Sequence, residues 1–190
     1  MQHKRVEFWQ LIQGILAKDL IFVDESGINL ALTRSFARSV KGQRARGARP
    51  HQRGRNVSLI GAIGLNGVIT QVSLLGATDG LTFEAFIAQK LVPQLWPGAC
   101  VLMDNCSIHK GEEIEALINL AGARLIYLPP YSPDFSPIEN CWSSIKSLLR
   151  SIGARNYPDL AKAIEEVFAK VSPEDIRSWF THCCYCTSVD

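Results

Sequence analysis

From Ser26 to Thr78 the chain has no aspartate or glutamate at all, although it carries Asp+Glu 18 against Lys+Arg 20 over its 190 residues. Into that acid-free stretch fall Arg34, Arg38, Lys41, Arg44, Arg46, Arg49, Arg53 and Arg55. A net charge of +2 therefore conceals a segment of a single sign. Such a run is either a solvated basic face or a surface for a polyanion. Arginine outnumbers lysine seven to one in it, and the planar guanidinium suits bidentate phosphate contact. Gly42, Gly47 and Gly54 let backbone approach a polyanion closely, so the stretch points to nucleic acid.

Other absences narrow the class. No apolar run approaches the roughly 18 residues that span a bilayer, and residues 1–13 mix His3, Lys4, Arg5 and Glu7 with isolated apolar positions, unlike a signal peptide. The expectation is a cytoplasmic protein with no membrane partner. Six cysteines, unevenly placed, are too few for a disulfide framework at this length. The sequence His182-Cys183-Cys184-Tyr185-Cys186 lacks the paired ligand spacing of a zinc site. No period repeats and no linker-like segment appears, and a hydrophobic content of 47% supports one folded core.

What is present reads as an α/β protein. A leading helix is expected within residues 1–18, with Val6, Phe8, Trp9, Leu11, Ile12, Ile15 and Leu16 near a helical stripe. Residues 20–23 form a short apolar run ending in Asp24-Glu25-Ser26-Gly27, a buried strand that delivers an acid to its C-terminal end. Residues 28–32 and 36–40 are weaker strand candidates, and the Gly/Arg stretch to Arg55 reads as an exposed loop. Residues 57–63 and 68–75 make a hairpin through Asn66-Gly67. The period then changes. A helix over 82–95, with Thr82 as its cap, stops at Trp96-Pro97-Gly98. A strand at 100–103 ends in Asp104-Asn105, a helix spans 112–121, a strand spans 124–128, and helices follow from Pro137, Pro158 and Pro173. This order predicts a mixed five-stranded sheet, an antiparallel meander followed by parallel strands, with helices on both faces.

Residues 127–150 organise the rest. Pro130, Pro133 and Pro137 each push the preceding residue out of the helical region, which keeps Tyr131–Asp134 extended and lets a helix start near Ser136. Ser136 reads as N-cap with Glu139 in the first turn, and Ser-x-x-Glu is also the capping box, in which the glutamate merely bonds back to the cap. Ser172-Pro173-Glu174-Asp175 repeats that pattern and serves as a comparison. Parallel strands lying side by side bring their C-terminal ends together, so Asp24, Asp104 and Glu139 can meet at one sheet edge. Three converging carboxylates repel unless a divalent cation neutralises them, and an all-oxygen set suits Mg²⁺ or Mn²⁺ over zinc. Acids beside a basic tract point to phosphoryl transfer on nucleic acid.

The segments FVDESG at 22–27, LMDNCSIH at 102–109 and LPPYSPDFSPIENCW at 128–142, with 34 residues between Asp104 and Glu139, resemble the catalytic domain of mariner-superfamily DDE transposases, especially their bacterial insertion-sequence branch. The resemblance implies an RNase H-like fold over residues 19–155 with C-terminal helices from 156–190 packed on it, and a catalytic and metal-binding triad of Asp24, Asp104 and Glu139. It further implies two Mg²⁺ or Mn²⁺ ions, strand cleavage by water and transfer of the freed 3′-hydroxyl to target DNA. A hydrolysing nuclease that does not join, or an idle DNA-binding remnant of a decayed element, are the alternatives. Asn105 and His109 are candidates for outer groups of the site, with His109 near enough to Asp104 to touch phosphate. Glu25 alternates to the opposite face if its strand continues, and Asp134 is expected in a local turn bond. Two departures stand out. Ser136 replaces the asparagine usual before Pro-Ile-Glu, and only 23 residues precede Asp24, where relatives carry a helix-turn-helix domain. The expectation is a catalytic domain lacking its end-recognition domain, working as a homodimer or with a separately encoded DNA-binding partner, nucleoid-associated when on DNA.

Overall fold

The computed structural model describes residues 2–186. Its centre is a five-stranded sheet built from β1 (Leu20–Ile28), β2 (Val57–Gly64), β3 (Gly67–Leu75), β4 (Cys100–Met103) and β5 (Arg124–Tyr127), in the order β3-β2-β1-β4-β5. The Asn66-Gly67 turn joins β2 to β3, and β2 pairs antiparallel with both β1 and β3. β4 and β5 add in parallel on the other side of β1. All four residues of β4 are buried, as expected of a parallel strand covered on both faces.

Side chains alternate across β1, and the two resulting faces are covered separately. Leu20 and Phe22 join a core shared with α1 (Gln2–Ile12), α4 (Pro137–Ile152), α5 (Tyr157–Ala169) and α6 (Pro173–His182), whereas Ile21 and Val23 pack under α2 (Gly80–Phe86) and α3 (Glu112–Leu120). The expected α/β architecture, a mixed five-stranded sheet with helices on both faces, is therefore the one observed. No helix among the described residues is long and apolar enough to cross a membrane.

Local expectations fare unevenly. The leading helix stops at Ile12 rather than running to residue 18: Gly14 takes φ 88°, and a separate 3-10 turn at Ala17–Asp19 leads into β1. Residues 28–32 and 36–40 do not form strands beyond Ile28, the last residue of β1. Residues 29–32 leave the sheet but keep Leu30, Ala31 and Leu32 at the core, whereas 36–40 lie in a long exposed loop in which Phe36 is 92% and Val40 71% exposed, with no sheet to pack against. The cap of α2 is Asp79, whose Oδ1 accepts from the Thr82 N–H at 2.8 Å and from the Thr82 hydroxyl at 2.6 Å. Thr82 is thus the capped residue, and the helix starts two residues earlier. It continues beyond Phe86 through a π-helical turn at Ile87–Leu91 and a 3-10 turn at Val92–Gln94.

Candidate active site

The registry of the sheet explains why the acids meet. The parallel pairing of β1 with β4 ends at Phe22 opposite Leu102. Asp24 lies two residues past that point, still paired with β2 opposite Gly61. Asp104 follows Met103, the last residue of β4. β5 ends at Tyr127, the Leu128 N–H donates to the Met103 carbonyl at 2.9 Å, and the chain turns through the prolines into α4. Asp24, Asp104, Asn105 and Glu139 line one cleft of about 460 Å³, floored by Val23 and Leu128 and walled by residues 129–133 and Ser136.

The turn differs from an extended segment. Tyr131 takes φ 57° and is 88% exposed at the cleft rim, and Pro133–Phe135 form a 3-10 turn. Asp134 makes an ion pair with Arg5 of α1 in addition to a bond with its own backbone N–H, and the Arg5 guanidinium also bonds the Ser132 hydroxyl at 3.0 Å and lies 4.0 Å over the Phe135 ring. Asp134 is held away from the cleft by that partner. Among the described residues the Ser136 hydroxyl caps no backbone N–H, and the Ser136 N–H donates to the Pro133 carbonyl at 3.0 Å. Ser136 ends the turn by its backbone, and the capping-box use of Glu139 does not occur. Ser172 and Asp175 of α6 do form the full reciprocal box.

Electrostatics single out Asp24. Burial first, then repulsion from Glu25 and Glu139, pushes its carboxyl up to about 7, against the opposing pull of the Glu25 backbone N–H and the Trp142 indole. The Trp142 Nε1–H donates to Asp24 Oδ2 at 3.0 Å. Trp142 lies on the apolar stripe of α4 that the sequence marks as core, and it is indeed 2% exposed. Its polar edge, however, ends at the cleft. Gly61 makes this possible, because a Cβ there would lie 2.9 Å from the Trp142 ring. Periodicity reports which face of a helix is buried but not where an indole N–H points, so this contact is invisible in sequence.

Asp104 is held well below the usual carboxylate range, chiefly by His109 and against partial burial, with help from the Cys106 N–H at 2.8 Å. His109 does not face the cleft. It is fully buried under the Phe83 ring, with centroids 4.3 Å apart. Its Nδ1 lies 2.6 Å from Asp104 Oδ1 and its Nε2 2.6 Å from Glu25 Oε2. Burial pulls its pKa down, but the bonds to Asp104 and Glu25 outweigh this and lift it to about 10. His109 is not among the residues that line the cleft, and both its ring nitrogens face carboxylates. Glu25 sits on the opposite face from Asp24, as alternation requires. Asn105 spends its amide on the Leu128 carbonyl at 2.5 Å, tying the exit of β4 to the segment after β5.

The basic residues Arg34, Arg38, Lys41, Arg44, Arg46, Arg49, Arg53 and Arg55 are all exposed on the loop between β1 and β2. The loop is anchored at its base. Arg155 donates to the carbonyls of Leu30 at 3.2 Å and Leu32 at 3.0 Å, and the Tyr157 hydroxyl accepts from the Arg55 N–H at 2.5 Å. A groove of about 720 Å³ runs between the loop and the C-terminal end of α4, lined by residues 33–37, 45–49 and 150–153 and by Arg155. Arg34, Arg46, Arg49, Arg150 and Arg155 face it with no acid among the lining residues. Arg150 and Arg155 escape a reading of the sequence because they sit about 100 residues beyond the basic tract, in a segment of mixed charge.

A mixed five-stranded sheet with helices on both faces, carrying Asp24 in β1, Asp104 just past β4 and Glu139 at the start of α4 around one cleft, is an RNase H-like DDE fold. The family model of the DDE superfamily endonucleases matches residues 19–161, and the chain belongs to that family. Among solved structures the chain is similar to the Mos1 transposase paired-end complex with the left transposon end, at TM-score 0.75 and 18% identity over 96% of this chain and 57% of that one. It is likewise similar to the mariner Mos1 paired-end complex with Mg, at TM-score 0.72 and 18% identity with 96% and 57% covered. The isolated catalytic domain of Mos1 mariner transposase gives TM-score 0.68 and 15% identity, with 96% of this chain and 85% of that one covered. At such identities the likeness establishes the fold, and the chain spans a little over half of the transposase chains in those complexes. No curated protein matches the sequence.

Proposed function

We propose that this chain is the catalytic domain of a mariner-superfamily transposase of the bacterial insertion-sequence branch, which cuts DNA and joins the freed 3′-hydroxyl to target DNA using Mg²⁺ or Mn²⁺ held by Asp24, Asp104 and Glu139. The observation that carries the reading is the convergence of three carboxylates from β1, β4 and α4 on one cleft, with Asp24 pushed up to about 7 by burial and by its acidic neighbours. An all-oxygen donor set under mutual repulsion fits a hard divalent cation. When bound, a pair of such ions activates the attacking oxygen and stabilises the leaving one. The chain's own part is positional. Trp142 holds one oxygen of Asp24, Asn105 ties together the strand ends beneath the cleft, and Glu139 is free of capping duty at the start of a rigid helix. In cleavage, water oxygen bonds to phosphorus as the P–O3′ bond breaks. In joining, that 3′ oxygen attacks a target phosphorus and displaces the target's own 3′ oxygen. The exposed loop and the arginine groove beside α4 take the phosphate backbone. A homodimer that brings two element ends together and residence on the nucleoid complete the proposal.

The deciding experiment titrates Mg²⁺ or Mn²⁺ against pre-cleaved DNA carrying a free 3′-hydroxyl, with wild type beside Asp24→Asn, Asp104→Asn and Glu139→Gln. Joined product from wild type alone is expected. Hydrolysis without joining would make the chain a nuclease, and cleavage retained in any of the three variants would remove that residue from the site. A chain that binds the ion but neither cuts nor joins, even with a DNA-binding domain added in trans, would be a remnant.

A further inference from the structure

Resting on the metal reading above, we propose that Glu25 and His109 are positioning residues: reaching through from the α2/α3 side of the sheet, they lock Asp104 by its Oδ1 so that Oδ2 is the oxygen presented to the cation. The carboxylate-rich group of Asp24, Glu25 and His109, whose ligand atoms all lie within 4.8 Å of one another, offers a competing arrangement in which His109 and Glu25 hold the ion themselves. Hydrogen-bond accounting separates the two. Each nitrogen of His109 faces a carboxylate oxygen at 2.6 Å, Nδ1 toward Asp104 and Nε2 toward Glu25. Both ring nitrogens are thus engaged by carboxylate oxygens, and neither is directed at the cleft, which His109 does not line. Asp104 Oδ1 is already taken twice, by His109 and by the Cys106 N–H at 2.8 Å.

The histidine is built in rather than incidental. Phe83 covers its ring, the Tyr127 hydroxyl donates to its carbonyl at 2.9 Å, and its exposure is zero. Asp104 holds the ring at Nδ1 and Glu25 holds it at Nε2, so the imidazole is fixed from both ends and cannot turn away from Asp104. Partners that orient a coordinating carboxylate typically change metal affinity by about 10–100-fold when removed.

The test is Mn²⁺ binding by the full chain, followed by calorimetry and by electron spin-echo spectroscopy, which detects nitrogen bonded to Mn²⁺. Expected is binding by wild type, abolished in Asp24→Asn, with no directly bonded nitrogen. Binding should weaken about tenfold or more in His109→Asn and less in Glu25→Gln. Glu25→Gln reaches Asp104 only through His109, and its direct effect on Asp24 is to remove a repelling neighbour, so adding it to His109→Asn should cause no further weakening. Circular dichroism checks each fold, and Glu25→Gln, which preserves volume, keeps the test open if His109→Asn misfolds. A bonded-nitrogen signal in wild type makes His109 a ligand and overturns the inference, as does unchanged affinity in Glu25→Gln or an additive double variant. Failure of wild type to bind Mn²⁺ at all overturns the metal reading itself, and the inference with it.

Discussion

At Asp24 two demands conflict. A buried carboxyl next to two others is costly to ionise, yet ionisation is what a cation requires. Because its pKa is raised above the ordinary 3.8 to about 7, the metal-free fold binds this proton more tightly than the unfolded chain does. The stability it confers is full below about pH 4 and is lost as pH rises through 7. Thermal unfolding of metal-free protein should therefore show a falling Tm between pH 4 and 7, and Asp24→Asn should flatten that slope. Addition of Mg²⁺ should restore stability at pH 7 to wild type and leave the variant unmoved. The Trp142 bond works in the opposite direction by favouring the charged form. Trp142→Phe retains the ring but removes the donor, and should shift the acid limb of the pH–rate profile upward by about one unit. Gly61→Ala should do the same indirectly by displacing the ring, with a loss of stability of about 1–3 kcal/mol for overpacking, read from chemical denaturation.

At the scale of elements, two helices begin with the same Ser-Pro-x-acid pattern and use it differently. In α6 the pattern is a cap, and Ser172→Ala should cost about 1 kcal/mol. In α4 the Ser136 hydroxyl does no capping, so Ser136→Ala should leave stability nearly unchanged in the same denaturation measurement. Local pattern alone cannot tell these apart, because the difference lies in what the preceding turn does with the serine N–H. The same limit explains the other misreadings. Residues 36–40 have strand-like composition but no neighbour to pair with, and composition carries no information about neighbours. Asp134 looks like a turn former until Arg5, 129 residues away, is brought beside it by α1. The hairpin at Asn66-Gly67 and the acid that follows β4 were legible because their signals are local, turn chemistry in one case and a short apolar run closed by a carboxylate in the other, whereas β1 does not stop at Asp24 but runs on to Ile28 because its pairing with β2 continues. The cleft was legible as a meeting of acids carried by neighbouring elements, whereas the support of Asp24 by Trp142 over Gly61 and of Asp104 by the buried His109 depends on register, which sequence does not display.

For the whole molecule, the groove joins arginines from the β1–β2 loop to Arg150 and Arg155 at the far end of α4. Glu139 and Arg150 occupy one helix, with the cleft at its start and the groove at its end. At 1.5 Å per residue their separation along the axis is about 16 Å, roughly five base pairs of duplex. Replacing Arg46, Arg49 and Arg150 with Gln together should weaken DNA binding uniformly across sequences and reduce its log–log salt slope by about two to three. An unchanged slope in a binding titration would return the groove to solvent. Shortening the duplex on that side of the scissile bond to fewer than about five pairs should produce a similar loss in wild type alone.

The three cleft carboxylates are 115 residues apart from first to last, and β1 cannot pair with β4 until the chain between them has been made and folded. The hairpin of β2 and β3 closes locally, whereas β4 and β5 are non-local additions that form late. During synthesis Asp24 emerges well before Glu139, so a chain still on the ribosome has no complete cleft. On the proposed function the cleft is incomplete until α4 has been made, and a chain terminated before α4 should show no cleavage in the metal titration.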